Sequence, residues 1–389
     1  MPDFDLILAL RPQAQALLET GTELAAITTL RAQGHDPEVV RASMEQAVLR
    51  NKLDQHWPSR WVLTRDGAEQ ASHPLVAQFR ARVIASALAD SEISQIVDLG
   101  AGIGSDSYAL ASAGLHVIAI ERDPQTATFL AHNLNQSPTA TVLVGDSDQI
   151  APTSPAYFVD PARRTGTRSS DGNRALPERD PERWFPPLSS VMTRAKNSIV
   201  FMKAAPAFDP PAGWARYCIS VDRNLVEMFT TNAHPGVSAV MIDTREATTT
   251  VIEQSHDHVS PFAPTHEIGS HLYEIDPAVT RAQLNSQIAH ELSLQIVGTK
   301  GLWLTGDKLE HVPSYLRSYV VHRKFPIKDL AHEVRELPGI AIKNKDSHLD
   351  YKTLRASSAK PDDNFWAVIV TSISGHDIGI LVNREKVTA

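Results

Sequence analysis

The chain of 389 residues contains a single cysteine, Cys218. It can therefore form no intramolecular disulfide, and neither a cysteine zinc site nor an iron-sulfur cluster can be assembled within it. Aromatic residues make up only 6%, and no apolar run approaches the roughly 20 residues needed to span a bilayer. The first residues, MPDFDLILALRP, carry two early acids and a short apolar run, a pattern unlike a secretory signal, so a cytoplasmic location is expected. Repeats and low-complexity tracts are lacking as well. There is also no excess of positive charge: 37 Lys and Arg against 45 Asp and Glu give a formal net charge of −8. That balance excludes a uniformly basic nucleic-acid binder and leaves room for a local basic face. What is present, 42% hydrophobic and 21% charged residues, is ordinary for a globular protein long enough for two or three domains.

Residues 1–60 read as a helical unit. In HDPEVVRASMEQAVLRNKL, Asp36 is a candidate N-cap and Pro37 a first helical residue, and Val40, Met44 and Val48 recur at four-residue spacing on one expected face. From SQIVDLG onward, strand, turn and helix alternate, with strands predicted at 95–99, 115–121, 140–145, 155–160 and 197–202. This predicts an α/β domain over 61–255, a doubly wound parallel sheet covered on both faces. ARYCISVDRNLVEMFTT and VSAVMIDTREATTTVIEQ have no long helix between them and read as an antiparallel pair completing the sheet. Residues 256–389 begin with an aperiodic linker, SHDHVSPFAPTHEIGSH. The segment DPAVTRAQLNSQIAHEL then predicts one helix capped by Asp276, with Pro277 in its first turn and Leu284, Ile288 and Leu292 in register. The remaining segments predict β, α, β, α, β, β, a small α+β domain.

The densest signal is VDLGAGIGSDSYALASAGLHVIAIERD. Gly100, Gly102 and Gly104 fall within five positions, and Glu121 follows seventeen residues after the last. A nicotinamide-dinucleotide fingerprint shares this outline. Here, however, Ser105 stands at its sixth position, and Asp98 precedes Gly100 at a strand end where dinucleotide binders usually carry an apolar residue. Both favour S-adenosylmethionine. Asp98 would reach the cationic amino-acid portion of that ligand, while Gly100 and Gly102 let the backbone approach it. Glu121 would accept from both ribose hydroxyls, and Asp146, in VLVGDSDQI, from the adenine amino group. Each acid alone reads equally well as a solvated loop carboxylate. Three at successive strand ends point to a ligand, because ligands sit outside the carboxyl edge of such sheets.

These residues resemble class I S-adenosylmethionine-dependent methyltransferases through DLGAGIGSDS, AIERD, GDSDQI and FVDPARR, over roughly residues 60–255. LTRDGAEQAS, RWFPPLSSV and YEIDPAVTRAQL extend the resemblance to a bacterial group with a THUMP-like C-terminal domain. The resemblance implies a seven-stranded Rossmann-like sheet, methyl transfer and S-adenosylmethionine as cofactor. Methyltransferases acting on planar amino groups commonly carry Asn or Asp, two prolines and an aromatic residue after the fourth strand; the acid or amide accepts from the amine and the ring stacks on the base. This chain has Asp160, Pro161, Ala162 and Arg163. Asp160 and Pro161 match and become candidate catalytic residues. Ala162 and Arg163 depart from the pattern, and Arg163 would stack through its guanidinium plane or grip a phosphate. The alternative is structural: Asp160 capping a turn with Arg163 paired to it.

Arg163 and Arg164 open a stretch with six arginines through Arg183, tempered by five acids from Asp160 to Glu182. It reads as a substrate clamp, with Arg164 a candidate contact, or as a solvated loop. Trp184 and Phe185 supply either a stacking surface or a loop anchor. Lys203, on the next strand, is a further candidate substrate cation or an exposed strand end. His256, His258, His266 and His271 lack a helical ligand face, so no metal is expected. Cys218, in an apolar strand without an activating base, reads as a buried thiol and not a nucleophile. From Ser314 to Lys360 there are ten Lys and Arg against five Asp and Glu, and Arg323, Lys324, Lys343 and Lys345 lie close to strands. Such a face suits a phosphate backbone, with Lys343 and Lys345 the candidate contacts. The combined expectation is a methyltransferase acting on RNA. A methyltransferase for a small molecule or protein, or a non-catalytic RNA-binding protein retaining the cofactor fold, stays open.

Overall fold

The computed structural model describes residues 3–50, 57–162, 178–255, 265–298, 301–333, 340–344, 366–373 and 375–384. The chain divides into two compact units, one formed by Met1–Ala215 with Phe229–Pro235 and the other by Arg216–Met228 with Gly236–Ala389. No described helix is long and apolar enough to cross a membrane.

The first unit opens with α1 (Phe4–Thr20), α2 (Glu23–Ala32) and α3 (Pro37–Arg50), packed through Leu10, Ala14, Leu30, Val40 and Met44. Asp36 caps α3, its Oδ1 accepting from the N–H groups of Glu38 and Val39 at 2.9 and 3.2 Å. Val48 departs from the expected face and is 36% exposed, whereas Ala47 is fully buried. Each four-residue step overshoots a full turn by about 40°, so the third residue of such a series has rotated out of the seam.

After α4 (Arg65–Gln70) and α5 (Pro74–Ala89) comes the alternating region: β1 (Gln95–Leu99), α6 (Ser105–Ser112), β2 (His116–Glu121), α7 (Pro124–Leu134), β3 (Ala140–Val144), α8 (Ser147–Ile150), β4 (Ala156–Val159), α9 (Leu188–Arg194) and β5 (Ile199–Ala204). These five strands pair in parallel in the order β3-β2-β1-β4-β5. The order reverses direction between β1 and β4, and this is where an open α/β sheet offers a crevice. β4 is buried throughout, which accounts for its unbroken apolar sequence AYFV.

The sheet has nine strands, not seven. It continues β5-β7-β6-β8-β9, with β6 (Ala215–Val221), β7 (Asn224–Thr231), β8 (Val237–Asp243) and β9 (Thr248–Glu253). The two segments expected to form one antiparallel pair each turn back on themselves. Between β6 and β7, Asp222 and Arg223 both adopt positive φ, 48° and 65°, the signature of a tight two-residue turn. Between β8 and β9, Asp243 Oδ1 accepts from the N–H groups of Arg245 and Glu246, and Ala247 has φ 50°. β6 and β8 are parallel, and β8 and β9 antiparallel.

The second unit also contains β10 (His271–Ile275), α10 (Pro277–Arg281), α11 (Asn285–Glu291), β11 (Gln295–Val297), β12 (Trp303–Gly306), β13 (Leu316–Pro326), α12 (Leu330–Glu333), β14 (Ile340–Asn344), β15 (Trp366–Ile373) and β16 (His376–Arg384). Its seven-stranded sheet runs β11-β12-β10-β13-β16-β15-β14. The single helix expected after Asp276 is two short ones, because Gln283 adopts φ 61° and ends α10. The Asp276 cap is present, Oδ1 accepting from Ala278 N–H at 2.9 Å, and Leu284 and Ile288 are buried. The helix expected over DYKTLRASS, residues 350–358, lies outside the described residues. Both faces of β15 are covered: Ala367 and Ile369 pack with Trp303 and Tyr319, while Val368 and Val370 pack with Phe325 and Leu330.

Candidate active site

The glycine loop is fastened to β2 by the N–H groups of Gly100 and Ala101, which donate to Ile120 O at 3.0 and 2.9 Å. Gly100, Gly102 and Gly104 all have positive φ, 86°, 57° and 97°. A Cβ at Gly104 would stand 2.8 Å from Leu130 Cδ1, so this glycine serves packing of α6 against α7. A Cβ at Gly100 or Gly102 would meet no atom within 4 Å, so these two border open space. Glu121 is fixed beside them, Oε2 accepting from Gly102 N–H and Oε1 from Asp123 N–H, both at 2.9 Å. Asp146 caps α8 through Asp148 N–H at 2.9 Å. The loop is braced from behind by the buried Asn133, whose amide donates to Ile103 O and Val62 O at 2.9 and 3.0 Å. Gly67 in α4 completes the brace, since a Cβ there would lie 2.5 Å from Ile103 Cγ2.

Behind the loop lies a buried network of charge. Asp98 is 1% exposed and accepts from the Ser107 hydroxyl. Burial pushes its carboxyl up to about 8; the Ser107 bond opposes this, and the negative charges of Asp106, Asp160 and Glu121 add to it. Asp106 behaves oppositely. Burial acts to raise it, but Arg80, Lys203 and the hydrogen bonds from Arg80 and Ser72 together hold it below the usual carboxylate range. Arg80 is fully buried in an ion pair with Asp106, and Lys203, also buried, donates to Asp160 Oδ2 at 2.7 Å and to Ser72 Oγ at 2.9 Å. An amino-acid ligand carrying a cationic group suits this set of donors and acceptors, because Asp98 sits among three other acids, with Ser107 as its hydrogen-bond donor. The residues present thus fit S-adenosylmethionine: open left-handed glycines, an adjacent carboxylate at a strand end, and a buried acid that gains from a positive neighbour.

Ser72, Arg80, Asp106 and Ser107 were not singled out in the sequence. One signal for Arg80 was available: it occupies the same four-residue register as Val76, Ile84 and Leu88, all buried, and a charge on an apolar face calls for a partner. Lys203 is not an exposed strand-end cation: it is buried and bonded to Asp160 and Ser72.

After β4, Pro161 is buried and Ala162 forms an isolated antiparallel bridge with Phe185, N–H to carbonyl at 2.8 and 3.1 Å. Trp184 is buried, donates from its indole N–H to Glu178 O at 3.1 Å and packs 5.3 Å from Phe208, so it anchors this segment. Phe185 is half-buried, with the Arg122 guanidinium 4.3 Å from its ring centroid. Arg163 and Arg164 lie outside the described residues, as do Lys345, His256 and His258. Lys343 donates to Glu274 Oε2 and to the Tyr319 hydroxyl, both at 2.7 Å. Cys218 is buried, and burial pushes its thiol up to about 11, which keeps it protonated. Among the described residues no group of three or more His, Cys, Asp or Glu side chains is arranged to hold a metal.

Residues 62–147 match the family described as "Putative SAM-dependent methyltransferase". This segment, which carries the glycine loop, is similar to the S-adenosylmethionine-dependent methyltransferase class. That class is enzymatic, with S-adenosylmethionine as its cofactor, and the matched residues include the glycine loop, Asp98, Glu121, Asp146 and the Arg80–Asp106 pair. Two relatives carry the name "Ribosomal RNA small subunit methyltransferase J". The protein from Thioalkalivibrio sulfidiphilus is 38% identical over 77 residues, 20% of this chain and 29% of that one. The protein from Rhodopseudomonas palustris is 33% identical over 107 residues, 24% of this chain and 49% of that one. The chain thus spans less than half the length of either relative. A crystal structure described as a "putative methyltransferase from Porphyromonas gingivalis W83" matches 98% of both chains, with a TM-score of 0.72 and 19% identity, a likeness of fold.

Proposed function

We propose that the protein transfers a methyl group from S-adenosylmethionine to a base of RNA, using the module read as residues 61–255 for the chemistry. The observation that carries this reading is the pair of open, left-handed glycines, Gly100 and Gly102, with the Glu121 carboxylate held on the Gly102 N–H and the buried Asp98 two residues before Gly100, inside the segment that matches the methyltransferase family. S-adenosylmethionine supplies a methyl group already made electrophilic by its sulfonium. The chain's own work is alignment and charge. Asp98 and Glu121 hold the cofactor's polar groups, and Asp146 takes the far end of the same crevice. Asp160, at the carboxyl end of β4 and partly open to solvent, orients the acceptor. Arg163 and Arg164, which follow in the sequence, contact the substrate.

Support for RNA comes from the shared name of the two relatives, both ribosomal RNA methyltransferases. The resemblance of residues 256–389 to a THUMP-like domain agrees, and Arg323 and Lys324 stand exposed on β13. The test is methyl incorporation from labelled S-adenosylmethionine into RNA taken from cells lacking the protein, with the modified nucleoside resolved by mass spectrometry. Label in one RNA nucleoside supports the reading. Label only in protein or small metabolites, with RNA blank, would replace the substrate.

A further inference from the structure

Asp160 does not stand alone at the end of β4. Its Oδ2 is engaged by Lys203 Nζ, from β5, at 2.7 Å, and the same ammonium donates to Ser72 Oγ at 2.9 Å. The Ser72 hydroxyl in turn accepts from Arg80 Nη2 at 2.7 Å and donates to Asp106 Oδ2 at 3.1 Å. A hydroxyl has one hydrogen and two lone pairs, and here all three are used, which leaves Ser72 a single orientation. The bonds therefore run unbroken from Asp106, in the first turn of α6 beside the glycine loop, to the carboxylate at the end of β4. The lysine side chain is only 10% exposed, whereas that of Asp160 is 30% exposed. The cation is thus the buried, fixed member of the pair, and the carboxylate is the member that meets solvent. A lysine held this way is poorly placed to grip a phosphate and well placed to fix an acid.

We propose that Lys203 is a positioning residue of the reaction: with Ser72 it holds the Asp160 carboxylate in one orientation, so that its outward side accepts a hydrogen bond from an N–H of the methyl acceptor. This rests on the proposed methyl transfer with Asp160 as the orienting acid. The acceptor class it selects is a nitrogen that carries a hydrogen.

In the full-length protein, Lys203→Met should lower kcat on RNA by about a hundredfold, the scale of a misplaced reacting group, while the RNA KM and cofactor affinity change by less than about threefold. Lys203→Arg should recover at least about tenfold of that loss, because the charge and a donor are retained. Combined with Asp160→Asn, Lys203→Met should cost no more than Asp160→Asn alone, as expected of residues that act through one another. Additive losses would overturn the proposal, as would a raised RNA KM with kcat intact, which would make Lys203 a substrate cation. Ser72→Ala keeps both charges of the Lys203–Asp160 pair and covers the case in which Lys203→Met fails to fold; it should lower kcat with KM unchanged. A readout free of turnover is the NMR signal of the Lys203 ammonium. It should be slow to exchange in the wild type and should move in both Asp160→Asn and Ser72→Ala. A signal indifferent to both substitutions overturns the relay whatever the activity. A responsive signal in a wild type that methylates no RNA upholds the contact and overturns the proposed function, with Lys203's part in it.

Discussion

Asp98 gathers the consequences of burial at a single residue. Its carboxyl, ordinarily near 3.8, is pushed up to about 8 by burial and by the nearby charges of Asp106, Asp160 and Glu121. Without ligand, the folded protein keeps a proton there that the unfolded chain has lost, so this residue makes stability fall as pH rises from about 4 to about 8. A cationic ligand favours the ionised form, so S-adenosylmethionine should bind more tightly as pH rises towards 8 and release up to one proton below it. Calorimetry in two buffers of different ionisation enthalpy measures that release, and Asp98→Asn should abolish it. A pH-independent affinity with no proton release would place Asp98 away from the ligand's charge. Lys343 calls for a different experiment. Its partner Glu274 has a side chain only 6% exposed, and Tyr319, whose hydroxyl burial and Glu274 push above its usual range, completes the cluster. Removing the ammonium takes from the buried Glu274 carboxylate its ion pair and leaves the Tyr319 hydroxyl to hold it, so Lys343→Met should lower stability by about 1–3 kcal/mol in chemical denaturation. Unchanged stability would return Lys343 to the role of an RNA contact. The glycine spacing and the acids at strand ends made Asp98, Gly100, Gly102 and Glu121 legible in the sequence, because local backbone geometry dictates them. The Lys203–Ser72 contact joins residues 131 positions apart, and no local pattern encodes such a pairing.

At the scale of elements, β1, β4 and β5 were readable because strands covered on both faces are written as apolar runs, whereas β3, at the sheet edge with no buried residue, was readable from its place in the strand–helix alternation. The two hairpins were not, since their reversals use Asp222, Arg223 and Ala247 in left-handed conformations where glycine or asparagine would have announced a turn. Gln283 hides the break between α10 and α11 in the same way. The loop between β1 and α6 permits a sharper test of how an element is placed. Gly104→Ala imposes a left-handed residue, at about 1 kcal/mol, and a contact 2.8 Å from Leu130 that adds a further 1–3 kcal/mol or so, and should lower the melting temperature accordingly. Gly102→Ala meets open space instead. It should cost about 1 kcal/mol of stability or a little more and weaken the cofactor disproportionately, because the added methyl enters the crevice. Equal effects on stability and binding from the two substitutions would mean that the open space beside Gly102 is not the ligand's.

For the whole molecule, a formal charge of −8 means that any grip on RNA must be local. With Lys343 engaged internally, the exposed Arg323 and Lys324 of β13 are the described cations best suited to phosphates, although Arg323 is shared with Glu333 at 2.7 Å. Replacing both should reduce the slope of log affinity against log salt by up to about two. An unchanged slope with intact affinity would move the RNA path elsewhere. The central claim, that the crevice beside Gly100 and Gly102 is an S-adenosylmethionine site, is tested most directly by calorimetric titration of the wild type and Glu121→Ala with S-adenosylmethionine and with NAD. The account predicts that the wild type prefers S-adenosylmethionine and that Glu121→Ala loses roughly 1.5–3 kcal/mol of that affinity. Tighter binding of NAD, or an affinity for S-adenosylmethionine that Glu121→Ala leaves intact, would contradict it.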